Sequence, residues 1–235
     1  MKPLVFSASI LLSGCLSFHS GPPPGTPKVG QFARIGAETI RYVDTGKPGE
    51  PAAKGGKTVI LVHGFGATLD EWSGVMPWLQ GAGYRVLALD LLGHGYSGRP
   101  NADYSIEAQA RRVVAFADQR GVYRFSVVGH SWGSAVSMAV AMAAPGRVQR
   151  LALYNGMFFE DQQPSIFHWA RIPGMGELIY GVFYPDRQDE KLSFAFHDPE
   201  RYVDEETVEA VDRLMAKPGT LAAALATVRA MDFEA

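Results

Sequence analysis

Apolar and polar positions along this chain follow two alternating rhythms. Thr58-Val59-Ile60-Leu61-Val62 is an almost unbroken apolar run, the pattern of a strand covered on both faces. Tyr84 to Leu89, Phe125 to Val128 and Leu151 to Tyr154 repeat it, and Thr39 to Val43 predicts an earlier strand. Between these runs the spacing turns helical. Trp72, Val75, Met76 and Leu79 follow a candidate capping box formed by Thr68 and Glu71, which predicts a helix over about residues 70–80. Ser105 precedes Ile106, Ala110, Val113, Val114 and Ala117, and a run of small residues from Ala135 to Ala143 predicts another helix. Short strands alternating with longer amphipathic segments predict an α/β fold with a largely parallel sheet. From Phe158 to about Met231 the pattern is helical throughout: Asp204 caps a helix with Val208, Val211, Leu214 and Met215 inward, and Thr220 precedes one with Leu221, Leu225 and Val228 inward.

Composition narrows the function classes. The 235 residues are 47% hydrophobic and 20% charged, ordinary for a globular chain and too apolar for bulk disorder. Lys plus Arg number 22 against 24 Asp plus Glu, with no block of like charge, so nothing points to nucleic acid. The single cysteine excludes an intramolecular disulfide and a cysteine-based zinc site. No metal or cofactor is implied.

That cysteine lies in a segment with its own logic. Met1-Lys2 is a positive start, Pro3 to Leu12 is apolar apart from two serines, and Ser17 to Gly30 is polar and rich in Pro and Gly, the anatomy of a signal peptide. The apolar run is too short to span a bilayer core of about 30 Å. Leu12-Ser13-Gly14-Cys15 resembles the lipobox of bacterial lipoproteins, which implies cleavage before a lipid-modified Cys15. A plain secretory signal and an uncleaved anchor are the alternatives, and in either case Cys15 is an apolar residue of the signal core. The expected organisation is therefore a lipoprotein signal peptide at 1–14, a proline-stiffened tether at 15–30, an α/β core at 31–157 and a helical region at 158–235.

The chemistry is concentrated at Gly129-His130-Ser131-Trp132-Gly133, a G-x-S-x-G pattern between a strand and a helix. Glycines flank the serine because a sharp elbow forces unfavourable backbone angles and brings strand and helix close together. Two further motifs, His63-Gly64-Phe65-Gly66 after the third strand and Asp90-Leu91-Leu92-Gly93-His94-Gly95-Tyr96-Ser97 after the fourth, stand in fixed order with this elbow. Together they resemble the α/β-hydrolase superfamily, from about Gln31 to the last residue, in its capped, serine-nucleophile form.

The resemblance implies Ser131 as nucleophile and the backbone N–H groups of Phe65 and Trp132 as the oxyanion hole. His63 is then structural, His130 points away from the nucleophile, and Asp90 and His94 organise their loop. A serine at the elbow argues against the dehalogenase-like and epoxide-hydrolase-like members, which use aspartate there. The implied reaction is acyl transfer to water, on an ester or similar bond of a small, partly apolar acyl substrate. The implied setting is the bacterial cell envelope, with membrane contact through Cys15, and the sequence does not fix an oligomeric state. Rival readings are a non-catalytic binding protein of the same fold, a carbon–carbon bond hydrolase and a cofactor-free haloperoxidase.

By the same resemblance residues 158–235 form a cap, which His168-Trp169, Phe183-Tyr184 and Phe194-Ala195-Phe196-His197 would line with aromatics. The family resumes its sheet after the cap with two strands, which carry the acid and the general-base histidine. Asp232-Phe233-Glu234-Ala235 is all that follows here, so base and acid are expected beyond Ala235, in a chain truncated after the sixth strand and impaired in activity. Tyr154-Asn155-Gly156-Met157 offers no carboxylate, and His168 and His197 are the only histidines outside the tether and motif loops.

Overall fold

The computed structural model describes residues 25–46, 57–183, 197–231 and 233, so the predicted signal peptide, Cys15 and the aromatics at 184 and 194–196 lie outside the described residues. Six strands form one sheet: β1 (Gln31–Ile35), β2 (Glu38–Asp44), β3 (Lys57–Val62), β4 (Tyr84–Leu89), β5 (Phe125–His130) and β6 (Val148–Tyr154), in the order β1-β2-β4-β3-β5-β6. The last four strands of that order are parallel, whereas β1 pairs with β2, and β2 with β4, antiparallel. The register sets Val62 opposite Leu89 and Gly129, and His130 opposite Tyr154. All four parallel strands therefore end at one edge, where loops of an open α/β sheet gather ligand-binding groups.

Helices α1 (Met76–Gly81), α2 (Ile106–Gln119) and α3 (Trp132–Ala143) lie between the strands, and α4 (Ser165–Ala170), α5 (Met175–Leu178), a π-helical turn (Ile179–Phe183), α6 (Pro199–Tyr202), α7 (Glu205–Met215) and α8 (Thr220–Arg229) follow β6. Ser105 caps α2 by accepting from the Ala108 N–H, and Asp204 caps α7 by accepting from Thr207, as their positions predict. The main core joins the inner faces of α2, α3 and α8 to one side of the sheet, and a smaller cluster around Val59, Leu61, Leu69, Trp72 and Val86 fills the other.

Three elements depart from the sequence pattern. The helix predicted over about residues 70–80 is split into a 3-10 turn, Leu69–Trp72, and α1. Pro77 opens α1 at its first turn. The capping box does not form: Thr68 accepts from Asp70, and the Glu71 carboxylate is spent on His130. Strand β1 has no apolar signature, since only Ala33 is buried; it exists as half of a hairpin whose two-residue turn places Gly36 at φ 60°. Strand β6 ends the sheet with Leu151, Leu153 and Tyr154 exposed. No described helix is long and apolar enough to cross a membrane.

Candidate active site

Strand β5 runs straight into α3, with Ser131 as the only residue between them. Its backbone is held at φ 50°, ψ −125°, one of two non-glycine residues with positive φ among those described. Strain of this kind costs about 1–3 kcal/mol and persists only where the surroundings over-determine it. Here they do. The Ser131 N–H donates to the Tyr154 carbonyl at 3.0 Å, and its own carbonyl accepts from Ser134 at 2.9 Å and Met157 at 3.3 Å.

The flanking glycines answer to space. A Cβ at Gly133 would collide with the His63 carbonyl and stand 2.6 Å from that of Val62, and one at Gly129 would stand 2.5 Å from Ser137 Oγ. At Gly64 a Cβ would meet Ser131 Cβ at 3.2 Å and His130 Nδ1 at 3.3 Å, so the loop after β3 lies directly against the elbow. Phe65 is next in that loop and Trp132 is the first residue of α3. The structure thus brings the loops of Ser131, Phe65 and Trp132 together at the C-terminal edge of the sheet. Among the described residues no side chain hydrogen-bonds the Ser131 hydroxyl.

An aromatic stack backs this edge. Phe65 meets His94 at 5.7 Å, Trp132 at 6.4 Å and Phe167 at 5.1 Å between ring centroids, each edge to face, and His94 stacks on Trp132 at 5.4 Å. Trp132 is fully buried and its indole N–H has no partner among the described residues. Phe167 reaches this stack from α4, whereas its neighbours His168 and Trp169 are exposed. The aromatic lining expected from His168-Trp169 is therefore supplied by the residue before them, because α4 presents that position to the core.

The histidines separate by environment. His63 is buried with both ring nitrogens engaged: Nε2 accepts from the Leu91 N–H at 2.9 Å and Nδ1 faces the Gly64 carbonyl at 2.7 Å. That pattern fixes the Nδ1–H tautomer and leaves no nitrogen for proton transfer. Burial, with His63 next in importance, lowers the pKa of His94 to about 3, so it is neutral at every ordinary pH. His130 pairs with Glu71 at 3.3 Å and His168 with Glu160 at 3.2 Å, while His197 is exposed.

Asp90 organises its loop, as expected. Fully buried, it accepts from the Leu69 N–H at 2.7 Å and the Tyr96 N–H at 2.8 Å, and it pairs with Arg41 at 3.3 Å. Arg41 also grips both carboxylate oxygens of Asp70, at 2.7 and 2.8 Å. No motif marks this buried arginine in the sequence; its burial follows from the two carboxylates that other elements bring to it. No group of three or more metal-ligating side chains occurs among the described residues.

Known proteins agree with this geometry at the level of family. The sequence profile of the alpha/beta hydrolase fold family matches residues 57–213. The dihydrolipoyllysine-residue acetyltransferase component of the acetoin cleaving system of Cupriavidus necator is 38% identical over 131 residues, 56% of this chain and 33% of that protein. Epoxide hydrolase B of Mycobacterium tuberculosis is 31% identical over 148 residues, 57% of this chain and 41% of that protein. The chain thus spans well under half the length of these curated relatives. Among solved structures, Cfl2 of Burkholderia cenocepacia superposes with a TM-score of 0.74 at 24% identity, covering 86% of this chain and 70% of that one. Haloalkane dehalogenase DbeA of Bradyrhizobium elkani does so with a TM-score of 0.65 at 24% identity, covering 86% and 68%.

Proposed function

Because the chain belongs to the α/β-hydrolase fold family, we propose that it is a serine hydrolase, cleaving an ester or similar acyl bond of a small, partly apolar substrate with Ser131 as nucleophile. One observation carries the reading: a serine held at positive φ between two glycines that have no room for a Cβ, at the strand–helix junction. Such strain, at the edge of the sheet where the loops converge, supports a functional rather than a structural serine.

The choice of bond follows from the element at that position. A serine oxygen attacking an acyl carbon gives a tetrahedral oxyanion, then an acyl-enzyme that water can hydrolyse. The same oxygen opening an epoxide or displacing a halide would give an ether, which water does not release. Relatives named as epoxide hydrolases and a dehalogenase therefore support a shared scaffold, and Ser131 supports different chemistry upon it. The Phe65 and Trp132 N–H groups would bind the oxyanion, where donors aimed at developing charge act chiefly on rate. The base and acid of this mechanism are assigned to no described residue, and no cofactor takes part.

We propose further that the helices from α4 onward form the cap over this site, and that Cys15 carries lipid and holds the domain at the cell envelope. Several acyl chains on one cysteine would anchor it stably, where a single chain binds marginally. The unengaged Ser131 hydroxyl favours a second reading, a binding protein of the same fold that holds acyl compounds without turning them over.

Labelling of the full chain with a fluorophosphonate probe, and ester hydrolysis by the wild type and Ser131→Ala, decide between the two. Loss of both labelling and turnover in the variant is expected. Equal turnover in the two proteins excludes Ser131 as nucleophile, and ligand binding without turnover or labelling favours the second reading. Expressed in a lipoprotein-processing bacterium, the wild type should incorporate palmitate and partition into detergent, and Cys15→Ser should do neither; an unlabelled wild type refutes the anchor.

A further inference from the structure

Lys217 sits in the turn between α7 and α8, and its ammonium is half-buried against the loop that follows β4. There it donates to the carbonyls of Tyr96 and Ser97, each at 2.8 Å. That loop is rigid from within. Asp90 accepts from the Tyr96 N–H, the Ser97 hydroxyl donates to the Asp90 carbonyl at 2.7 Å, and Gly98 donates to Thr39 at 2.8 Å.

The two surfaces are shaped for each other. A Cβ at Gly93 would stand 3.2 Å from that of Ala223 on α8, and one at Gly219 would stand 3.2 Å from Arg99 Cβ. We propose that Lys217 is a latch that seats the α7–α8 hairpin on the loop after β4, and that losing its proton tightens the latch.

The reason lies in what the seated ammonium faces. Arg99 donates to the Ser97 carbonyl at 2.9 Å and to Gly95 at 2.8 Å, so two cations share the Ser97 oxygen. A neutral amine keeps hydrogen bonds to both carbonyls while escaping the desolvation of a buried charge and the repulsion of Arg99. Burial first, and Arg99 second, lower the Lys217 pKa to about 8, with Asp90 opposing them. Released into water, a lysine titrates at about 10.4.

The sign follows. Below pH 8 both states carry the proton and seating is independent of pH. Between about 8 and 10.4 seating expels a proton, so its equilibrium constant rises about tenfold per pH unit. The other groups facing this junction leave the lower part of that window clear, up to about pH 9.5. Arg99 is lowered to about 10, His94 to about 3, and Lys28, which pairs with Glu206 on α7, is raised above its ordinary value. Seating also bears on the candidate site, since His94 in the same loop stacks on Trp132 and meets Phe65. The inference does not depend on Ser131 being a nucleophile.

The test uses the full chain with Cys15→Ser, which removes its only cysteine, and spin labels at Met142→Cys on α3 and Asp212→Cys on α7. Urea titrations followed by the distance between the labels give the seating constant at each pH. From pH 8 to 9.5 that constant should rise about 15-fold with lysine at 217, because the seated lysine is still half protonated at pH 8, and stay flat in Lys217→Met and Lys217→Arg. Titration of the Lys217 ammonium by NMR, which needs no substitution at 217, should give a midpoint near 8. A flat response with lysine present, an equal response in either variant, or a midpoint near 10.4 overturns the latch.

Discussion

Ser131 carries two opposed demands, exposure of its hydroxyl and a backbone angle that L side chains rarely adopt. Glycine meets the second without strain, so Ser131→Gly should raise stability by up to about 1–3 kcal/mol, less the entropy that glycine loses on folding, while abolishing any Ser131-dependent turnover. A urea midpoint no higher than wild type would show that the elbow is unstrained. The adjoining glycine has no such latitude. Gly133→Ala drives a methyl into the His63 and Val62 carbonyls and should destabilise by about 1–3 kcal/mol or more, visible in the same titration. Removing charge from the buried Asp90 leaves Arg41 short of a partner, and Asp90→Asn should cost about 3–5 kcal/mol. Each of these positions stood out in sequence through its motif. Arg41 did not, because nothing within β2 distinguishes an arginine that faces water from one folded back onto Asp70 and Asp90.

At the scale of elements, β6 is the exposed flank of the sheet. Its outer backbone groups have no neighbouring strand among the described residues, and Leu151 and Leu153 add apolar side chains, the combination that invites edge-to-edge association. Leu153→Lys should therefore lower the sedimentation coefficient of any self-associated species while moving the unfolding free energy by no more than about 0.5 kcal/mol. Unchanged self-association would place the contact elsewhere. Strand β6 was legible as an apolar run, whereas its edge position follows from strand order, which no local pattern encodes. The reverse holds for β1: five residues with one buried side chain become a strand because Gly36 turns the chain back onto β2.

For the whole molecule, His94 sets a slope of stability in acid. Its folded pKa of about 3 lies below the unfolded value of about 6.5, so the unfolded chain takes up a proton that the folded one refuses. The stability this confers is present above about pH 6.5 and is lost at about 1.4 kcal/mol per pH unit as pH falls towards 3. His94→Phe keeps an aromatic ring on Trp132, and Gln109 still donates to the Leu92 carbonyl, so the variant should fold with a flatter profile between pH 6.5 and 4. An equal slope in both proteins would assign the acid sensitivity to the carboxylates. Glu177, held down to about 2 mainly by Arg229, contributes only from about pH 4.5 downwards, and weakly because the pair is exposed to solvent.

The sequence by itself determined the parallel strands, the helices α2 and α3 between them, the caps at Ser105 and Asp204, and the elbow around Ser131. These rest on periodicity, capping and the absence of a side chain, all local properties of the chain. Only the tertiary structure decided which distant groups meet. Phe167 rather than His168 or Trp169 reaches Phe65, Arg41 joins Asp70 to Asp90, Glu71 leaves its capping role for His130, and Lys217 finds two carbonyls 120 and 121 residues away. Such pairings depend on strand order, register and the facing of helices, and a charged side chain is buried only where a partner from another element offsets its desolvation.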